Sequence, residues 1–237
     1  LKMRDVNFNI YDKFDHVFER PSTEDTSRVK RDDNRAGATV KLQMERLGIQ
    51  LGYENFIRNY KSDPVYDAYD RTEDIYSFVL THKTFPKTEL LLEYDFGKIR
   101  HDQSVRSDSD YNQLLVGATG NLTQKTTATI KTGYQIRMYE GSDDPNYDTW
   151  VLYSDIIHEF SDKNAIKLSV SREPYESTYG VNNYYKAENI TGIFDHLFTT
   201  KLIGFLTGEF QINSYPRETT EGSETLNRKD KYYSAGA

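Results

Sequence analysis

"KTELLLEYDFGKIR", running from Lys87 to Arg100, holds two interleaved patterns. Leu90, Leu92, Tyr94 and Phe96 are apolar or aromatic, while Glu89, Glu93 and Asp95 between them are acidic. Successive side chains of a β-strand point to opposite faces, so this spacing predicts one oily face and one charged face. What covers the oily face, a protein core or lipid, decides the fold.

The stretch belongs to a repeat. Lys87, Lys125, Lys163 and Lys201 follow one another at intervals of 38 residues, in "FPKTELLLEYDF", "TQKTTATIKTGY", "SDKNAIKLSVSR" and "TTKLIGFLTGEF". Polar or turn-forming residues precede each Lys and an alternating run follows it. Nine positions further on stand Phe96, Tyr134, Arg172 and Phe210; eleven positions earlier stand Tyr76, Leu114, Leu152 and Ile190. Each unit reads as a hairpin, and its even period keeps the same face apolar throughout. That face includes Ile130, Tyr134, Leu168 and Val170, which join Leu90, Leu92, Tyr94 and Phe96 as expected lipid-facing positions. The spacing predicts about twelve strands, over 4–19, 35–45, 47–60, 73–84, 88–101, 111–121, 126–139, 149–159, 165–176, 184–196, 201–215 and 230–237.

The two sets of connections differ. "MERL", "TFPKT", "LTQKT", "FSDKN" and "LFTTK" are short; "RPSTEDTSRVKRDDN", "KSDPVYDAYDR", "HDQSVRSDSD", "EGSDDPNYD", "ESTYGVNN" and "PRETTEGSETLNRK" are longer and mostly acidic or polar. Short turns on one rim and longer loops on the other characterise outer-membrane barrels. A propeller blade needs four short strands in ~40–50 residues, whereas two long strands fill each unit here. A sandwich rarely keeps up-and-down order without a Greek-key crossover. The expected fold is an all-β, up-and-down antiparallel transmembrane β-barrel over residues 1–237, a single domain truncated at both ends and part of a larger barrel.

Composition permits this reading. The 237 residues are 36% hydrophobic and 28% charged, and no apolar run of ~18 residues exists for a membrane helix. A barrel escapes such filters because only alternate residues meet lipid. There is no Cys, which excludes a disulfide framework or a thiol nucleophile. A net charge of −7 without a basic stripe argues against a nucleic-acid partner.

"LGIQLGYENFIRNY", "LLVGATGNLTQKTTATIKTGYQIRMY" and "KLSVSREPYESTYG" carry a further likeness. Over residues 35–215 their alternating strands, short turns and Tyr-rich acidic loops resemble the putative β-barrel porin type 2 family of bacterial outer membranes. The resemblance implies a bacterial outer-membrane barrel, and some members of that family stand beside exopolysaccharide-export machinery. The aromatic-ended final strand usual in outer-membrane proteins is missing from "SAGA".

The face opposite the apolar one is polar. Glu93, Asp95, Lys131, Arg137, Lys167 and Glu173 are its candidate lumen and selectivity residues, since such charges are unsuited to a dry core and ordinary beside lumen water. Leu115, Val151, Tyr153, Ile203 and Phe205 share its parity and mark lumen packing, a missed bulge or an aromatic sugar track; Tyr153 and Phe205 are the candidate sugar-stacking pair. His82, His158 and His196 hold equivalent places, but equivalent strands of adjacent hairpins lie about 9–10 Å apart, too far for a shared Zn²⁺ ion. They read as an interfacial belt. The acidic loops "SDSDYN", "EGSDDPNYD" and "VKRDDN" match no EF-hand spacing and read as solvated turns. Glu89 and Glu93 lie ~13 Å apart along a strand, too far to act on one bond. No catalytic residues, metal or cofactor are expected.

Three functions fit: a polar pore for hydrophilic solutes, an exit channel for an exopolysaccharide joined to periplasmic export proteins, and a non-conducting structural or adhesive barrel. Outer-membrane lipid and lipopolysaccharide are the expected surroundings.

Overall fold

A computed structural model of the chain describes residues 3–19, 28–61, 64–104, 106–141, 146–178, 182–221 and 224–237. Twelve strands form one sheet in the order β1 to β12, each paired with its sequence neighbours. They are β1 (Met3–Glu19), β2 (Val29–Met44), β3 (Leu47–Tyr60), β4 (Arg71–Phe85), β5 (Thr88–His101), β6 (Ser109–Asn121), β7 (Thr126–Tyr139), β8 (Tyr147–Ser161), β9 (Asn164–Glu176), β10 (Tyr184–Thr199), β11 (Leu202–Glu221) and β12 (Glu224–Gly236). One 3-10 turn, Pro64–Tyr69, interrupts the β3–β4 connection. This is the all-β, up-and-down antiparallel order that the hairpin repeat predicts.

The repeat is visible in the backbone. The amides of Asn121, Glu159 and Leu197 donate to the carbonyls of Lys87, Lys125 and Lys163 at 3.0, 2.8 and 2.8 Å. Each turn is thereby tied to the strand end of the next hairpin. The turn between β2 and β3 does the same with Arg46, whose carbonyl accepts from Lys83 at 2.8 Å.

Two strand limits correct the sequence reading. β2 begins at Val29 rather than at residue 35, so "VKRDDN" is strand. "PRETTEGSETLNRK" is not a long loop either, because β11 runs to Glu221 and β12 starts at Glu224. In both places dense charge looks like a loop; in the first, Asp32, Asp33 and Asn34 find partners across the sheet in His16, Arg58 and Asp12. The tips of other quoted loops (residues 20–27, 142–145 and 179–181) lie outside the described residues.

The alternation separates two environments. Leu51, Leu90, Leu92, Tyr94, Ile130, Tyr134, Leu168 and Leu206 are exposed, whereas Ile99, Leu115 and Val151 on the other face are fully buried. Phe96 and Val170, on the apolar face, are half-buried; Phe96 stacks on Tyr76 with ring centroids 6.3 Å apart. Rows of exposed large apolar side chains along every hairpin are what a water-facing sheet avoids and what a lipid-facing sheet requires. Arg172 is a cation on this face, and it is accommodated locally. Its guanidinium lies 4.2 Å over the Trp150 ring, pairs with Glu188 at 3.2 Å and donates to the Trp150 carbonyl.

By internal packing the chain divides into two units. One comprises Leu1–Thr84, Leu91–Val116 and Gly133–Thr149, the other Phe85–Leu90, Gly117–Thr132 and Trp150–Ala237. The divisions fall within strands β4 to β8.

Candidate functional site

In the first unit, the polar face at the long-loop ends of the strands is closely packed. Alternation in β2 and β3 places Arg31, Asp33 and Arg35 opposite Tyr60, Arg58 and Phe56. Asp33 accepts from Arg58 Nε and Nη2, both at 2.8 Å, and from Arg31 Nε at 3.1 Å. Glu54 accepts from Arg35 and, at 2.6 Å, from the Tyr11 hydroxyl. On β4, Arg71 pairs with Glu73 at 2.6 Å. The guanidinium carbons of Arg35, Arg58 and Arg71 stand 4.3, 5.1 and 6.0 Å from the Phe56 ring centroid. A planar cation can satisfy a carboxylate with its edge while resting its face on an aromatic ring, which suits Arg rather than Lys here.

Glycines open space for two of the tyrosines. A Cβ at Gly37 would strike the Tyr11 ring, and one at Gly97 the Tyr111 ring. Tyr11 therefore lies flat over Gly37 to reach Glu54. Tyr111 lies across Gly97, with the Arg137 guanidinium 5.3 Å from its centroid.

Asp95 and Arg137 belong to this unit, and both are buried, at 9% and 4% exposure. That differs from a position beside open lumen water. Gln113 Nε2 donates to Asp95 at 3.1 Å, Gln135 Nε2 to Gln113 at 3.1 Å, and the Tyr147 hydroxyl to Gln135 at 3.3 Å. This chain of side chains crosses β5, β6, β7 and β8, and Arg137 sits 5.7 Å over the Tyr147 ring. Buried polar groups are tolerable when each finds a partner, and such a chain supplies them. Glu93 is half-buried.

Lys131, Tyr153, Lys167, Glu173 and Phe205 belong to the second unit. Tyr153 donates to Glu173 at 3.1 Å and carries the Lys131 ammonium 5.5 Å from its ring centroid. Lys167 pairs with Asp155 at 3.2 Å, and Ser169 donates to the same carboxylate at 2.5 Å. Phe205 is 52% exposed and pairs in register with Asp195. Lys131, Tyr153 and Glu173 thus form one group, and Lys167 belongs to another.

The acidic connections also find partners. In "SDSDYN", Asp108 and Asp110 approach Arg100 at 3.8 and 2.8 Å, and Glu140 joins them at 3.1 Å. In "VKRDDN", Asp33 is the acceptor for two arginines rather than a solvated loop residue. The β3–β4 connection folds against its own strands: Tyr66 stacks on Tyr60 at 5.5 Å, and Arg106 lies 4.6 Å over Tyr69. Asp70 accepts from the Tyr60 amide at 2.6 Å, and its carbonyl accepts from Asp102 N at 3.1 Å. Burial raises the Asp70 carboxyl above the usual carboxylate range, and the nearby Asp67 and Asp102 carboxylates add to the rise.

His158 Nδ1 lies 2.8 Å from Thr126 Oγ1, and His196 Nδ1 lies 2.7 Å from Asn164 Oδ1. Each bond joins one hairpin to the residue after the Lys of the preceding turn. His82 contacts Thr84 Oγ1 at 3.1 Å. Among the described residues no group of three or more His, Cys, Asp or Glu side chains is arranged to hold a metal ion.

This combination, apolar side chains exposed along one face of every hairpin and paired charges gathered on the other, is the pattern of a membrane β-barrel. The family described as "Putative beta-barrel porin 2" matches residues 3–237. The chain belongs to that family. No curated protein matches it. Among solved structures it is similar to the alcaligin outer membrane receptor FauA from Bordetella pertussis, with a TM-score of 0.47 and 11% identity. That likeness covers 95% of this chain and 45% of the receptor's, so the chain spans less than half of the receptor's length.

For this porin-2 family member, sequence reasoning places Asp95 and Arg137 on the inward face but does not supply the partners that hold them. Arg31, Asp33, Phe56, Arg71, Tyr111 and Tyr147 make up much of the packed polar face. The available signal was pairing across strands: Gly opposite Tyr at Gly37 and Tyr11, and acid opposite Arg at Asp33 and Arg58.

Proposed function

We propose that the protein is an outer-membrane barrel whose polar face lines a pore for hydrophilic solutes. One observation carries this reading: on the same strands, exposed apolar residues alternate with charges that are paired among themselves. A water-filled or partly filled lumen suits such a face, and hydrocarbon suits the other. In the first unit the polar face is closely packed on the side of the longer loops, where Arg31, Arg71, Asp95 and Arg137 are buried. Mixed charge on the polar face gives weak ion selectivity. The reading assigns no catalysis and no cofactor, with membrane lipid and lipopolysaccharide as surroundings.

Planar-bilayer recording of the full-length protein tests it. Steady conductance is expected, with a small reversal potential in a KCl gradient that moves toward cation selectivity when Arg137 is replaced by Gln. A folded, inserted protein that passes no current refutes the pore.

The same burial supports a second reading, a barrel filled by its own side chains that conducts nothing. Under it, Leu115 and Val151, both at 0% exposure, are core residues of the lumen. A third reading, an exopolysaccharide exit docked to periplasmic export proteins, draws on Tyr153 between Lys131 and Glu173, an aromatic plane with charges at its edges. It expects soluble oligosaccharide to block the current, and Tyr153→Ala to relieve the block.

A further inference from the structure

The four repeat lysines are not explained by a pore. Lys87, Lys125, Lys163 and Lys201 all belong to the second unit, all are exposed, and each sits in a short turn. The bonds to the carbonyls of Lys87, Lys125 and Lys163 fix successive turns to one another. Hairpins repeat every two strands, so the lysines recur about every 9–10 Å along this rim. Among the described residues none of the four is ion-paired with a carboxylate. Asp162 beside Lys163 is the acidic residue of these turns, and Glu159 shares the lysines' parity on the adjoining strand.

A second periodic row lies just below, on the apolar face. Leu122, Phe160 and Phe198 are also 38 residues apart and are 68%, 53% and 59% exposed. Phe160 and Phe198 meet the rings of His158 and His196 edge-on, with centroids 4.7 and 4.4 Å apart. Lys125 Nζ donates to the Phe160 carbonyl at 3.1 Å, which joins the two rows.

We propose that this short-turn rim is a binding surface for anionic phospholipid headgroups. The lysines take the phosphate and glycerol-phosphate charge, and Leu122, Phe160 and Phe198 enter the boundary between headgroups and acyl chains. Cations spaced one headgroup apart above an apolar belt match the cross-section of a leaflet. An acidic protein would meet the lysines but leave the belt unfilled. The inference rests on the barrel reading, because it takes the exposed apolar face to be in lipid.

The test uses the full-length protein in detergent, titrated with phosphatidylglycerol or phosphatidylethanolamine and read by native mass spectrometry. Wild type is expected to retain phosphatidylglycerol in preference to phosphatidylethanolamine. A Lys near an anionic surface contributes about 1 kcal/mol, so each Lys→Gln change should weaken retention about fivefold. K87Q/K125Q/K163Q/K201Q together should abolish the preference, while Lys61→Gln in the β3–β4 connection leaves it intact. Gel mobility before and after boiling checks that every variant is folded. Equal retention of the two lipids, or a preference unchanged in the quadruple variant, overturns the proposal. A preference that persists while an acidic protein ceases to co-purify assigns the rim to a protein surface and overturns it too. Failure of wild type to insert into any vesicle removes the barrel reading itself, whereas insertion without lipid preference removes the lysine surface alone.

Discussion

Replacing Asp33 by Asn should be among the most damaging conservative changes in the protein. Asp33 takes two 2.8 Å bonds from Arg58 and one of 3.1 Å from Arg31, with side-chain exposures of 14%, 17% and 7% for the three residues. Asn preserves the shape but removes the negative charge and at least one acceptor. Breaking a buried ion pair from one side costs ~3–5 kcal/mol, because the remaining charge is left without compensation. The residual exposure of all three groups lets water return part of this, which brings the expected loss to about 2–4 kcal/mol. Urea unfolding of vesicle-reconstituted protein reports it through the single Trp, Trp150. With a slope of ~1–3 kcal/mol per molar urea, the midpoint should fall by about 1–2 M. Asp12→Asn is the control, since Asp12 is exposed and makes one bond, from Asn34 at 2.8 Å. Equal midpoints for the two variants would refute the claim that the Asp33 cluster is a packed unit.

Two further outcomes are expected. A Cβ at Gly133 would collide with the Leu114 carbonyl of β6, while one at Gly192 would meet nothing within 4 Å; Gly133→Ala should therefore lower the urea midpoint by an amount matching ~1–3 kcal/mol of overpacking, and Gly192→Ala should leave it unchanged. Asp70 has its folded carboxyl raised by burial and by Asp67 and Asp102, so its contribution to the docked β3–β4 connection is complete below about pH 4 and is lost as pH rises through the folded value. Protection of the Tyr60 amide, corrected for intrinsic exchange, should accordingly fall on going from pH 4 to pH 7 in wild type and stay high at pH 7 in Asp70→Asn; the same fall in both proteins would show that another group is responsible.

Most of the architecture could be read from spacing because hairpins are local. The period from Lys87 to Lys201 fixes turn positions, and side-chain parity then assigns faces without knowledge of any partner. Strand ends were harder. Val29 to Asn34 looks like a charged loop until Arg58, 25 residues beyond Asp33, is brought across to neutralise it. The polar face shows the same limit. Sequence alone marks Asp95 and Arg137 as inward charges, but whether such a side chain meets water or packs depends on residues from other strands. Leu115 and Val151 carried a trace of the answer, being apolar where open lumen would favour polarity, and both are fully buried.

The bonds from Asn121, Glu159 and Leu197 back to the lysine carbonyls have an engineering consequence. Since one turn presents the same acceptor as the next, excising residues 126–163 would join Lys125 to Asn164 and offer Leu197 the carbonyl that Glu159 had used. The ribbon could thus be shortened or lengthened in steps of two strands with its seams preserved. Circumference becomes a modular quantity, adjustable by gain or loss of whole cassettes.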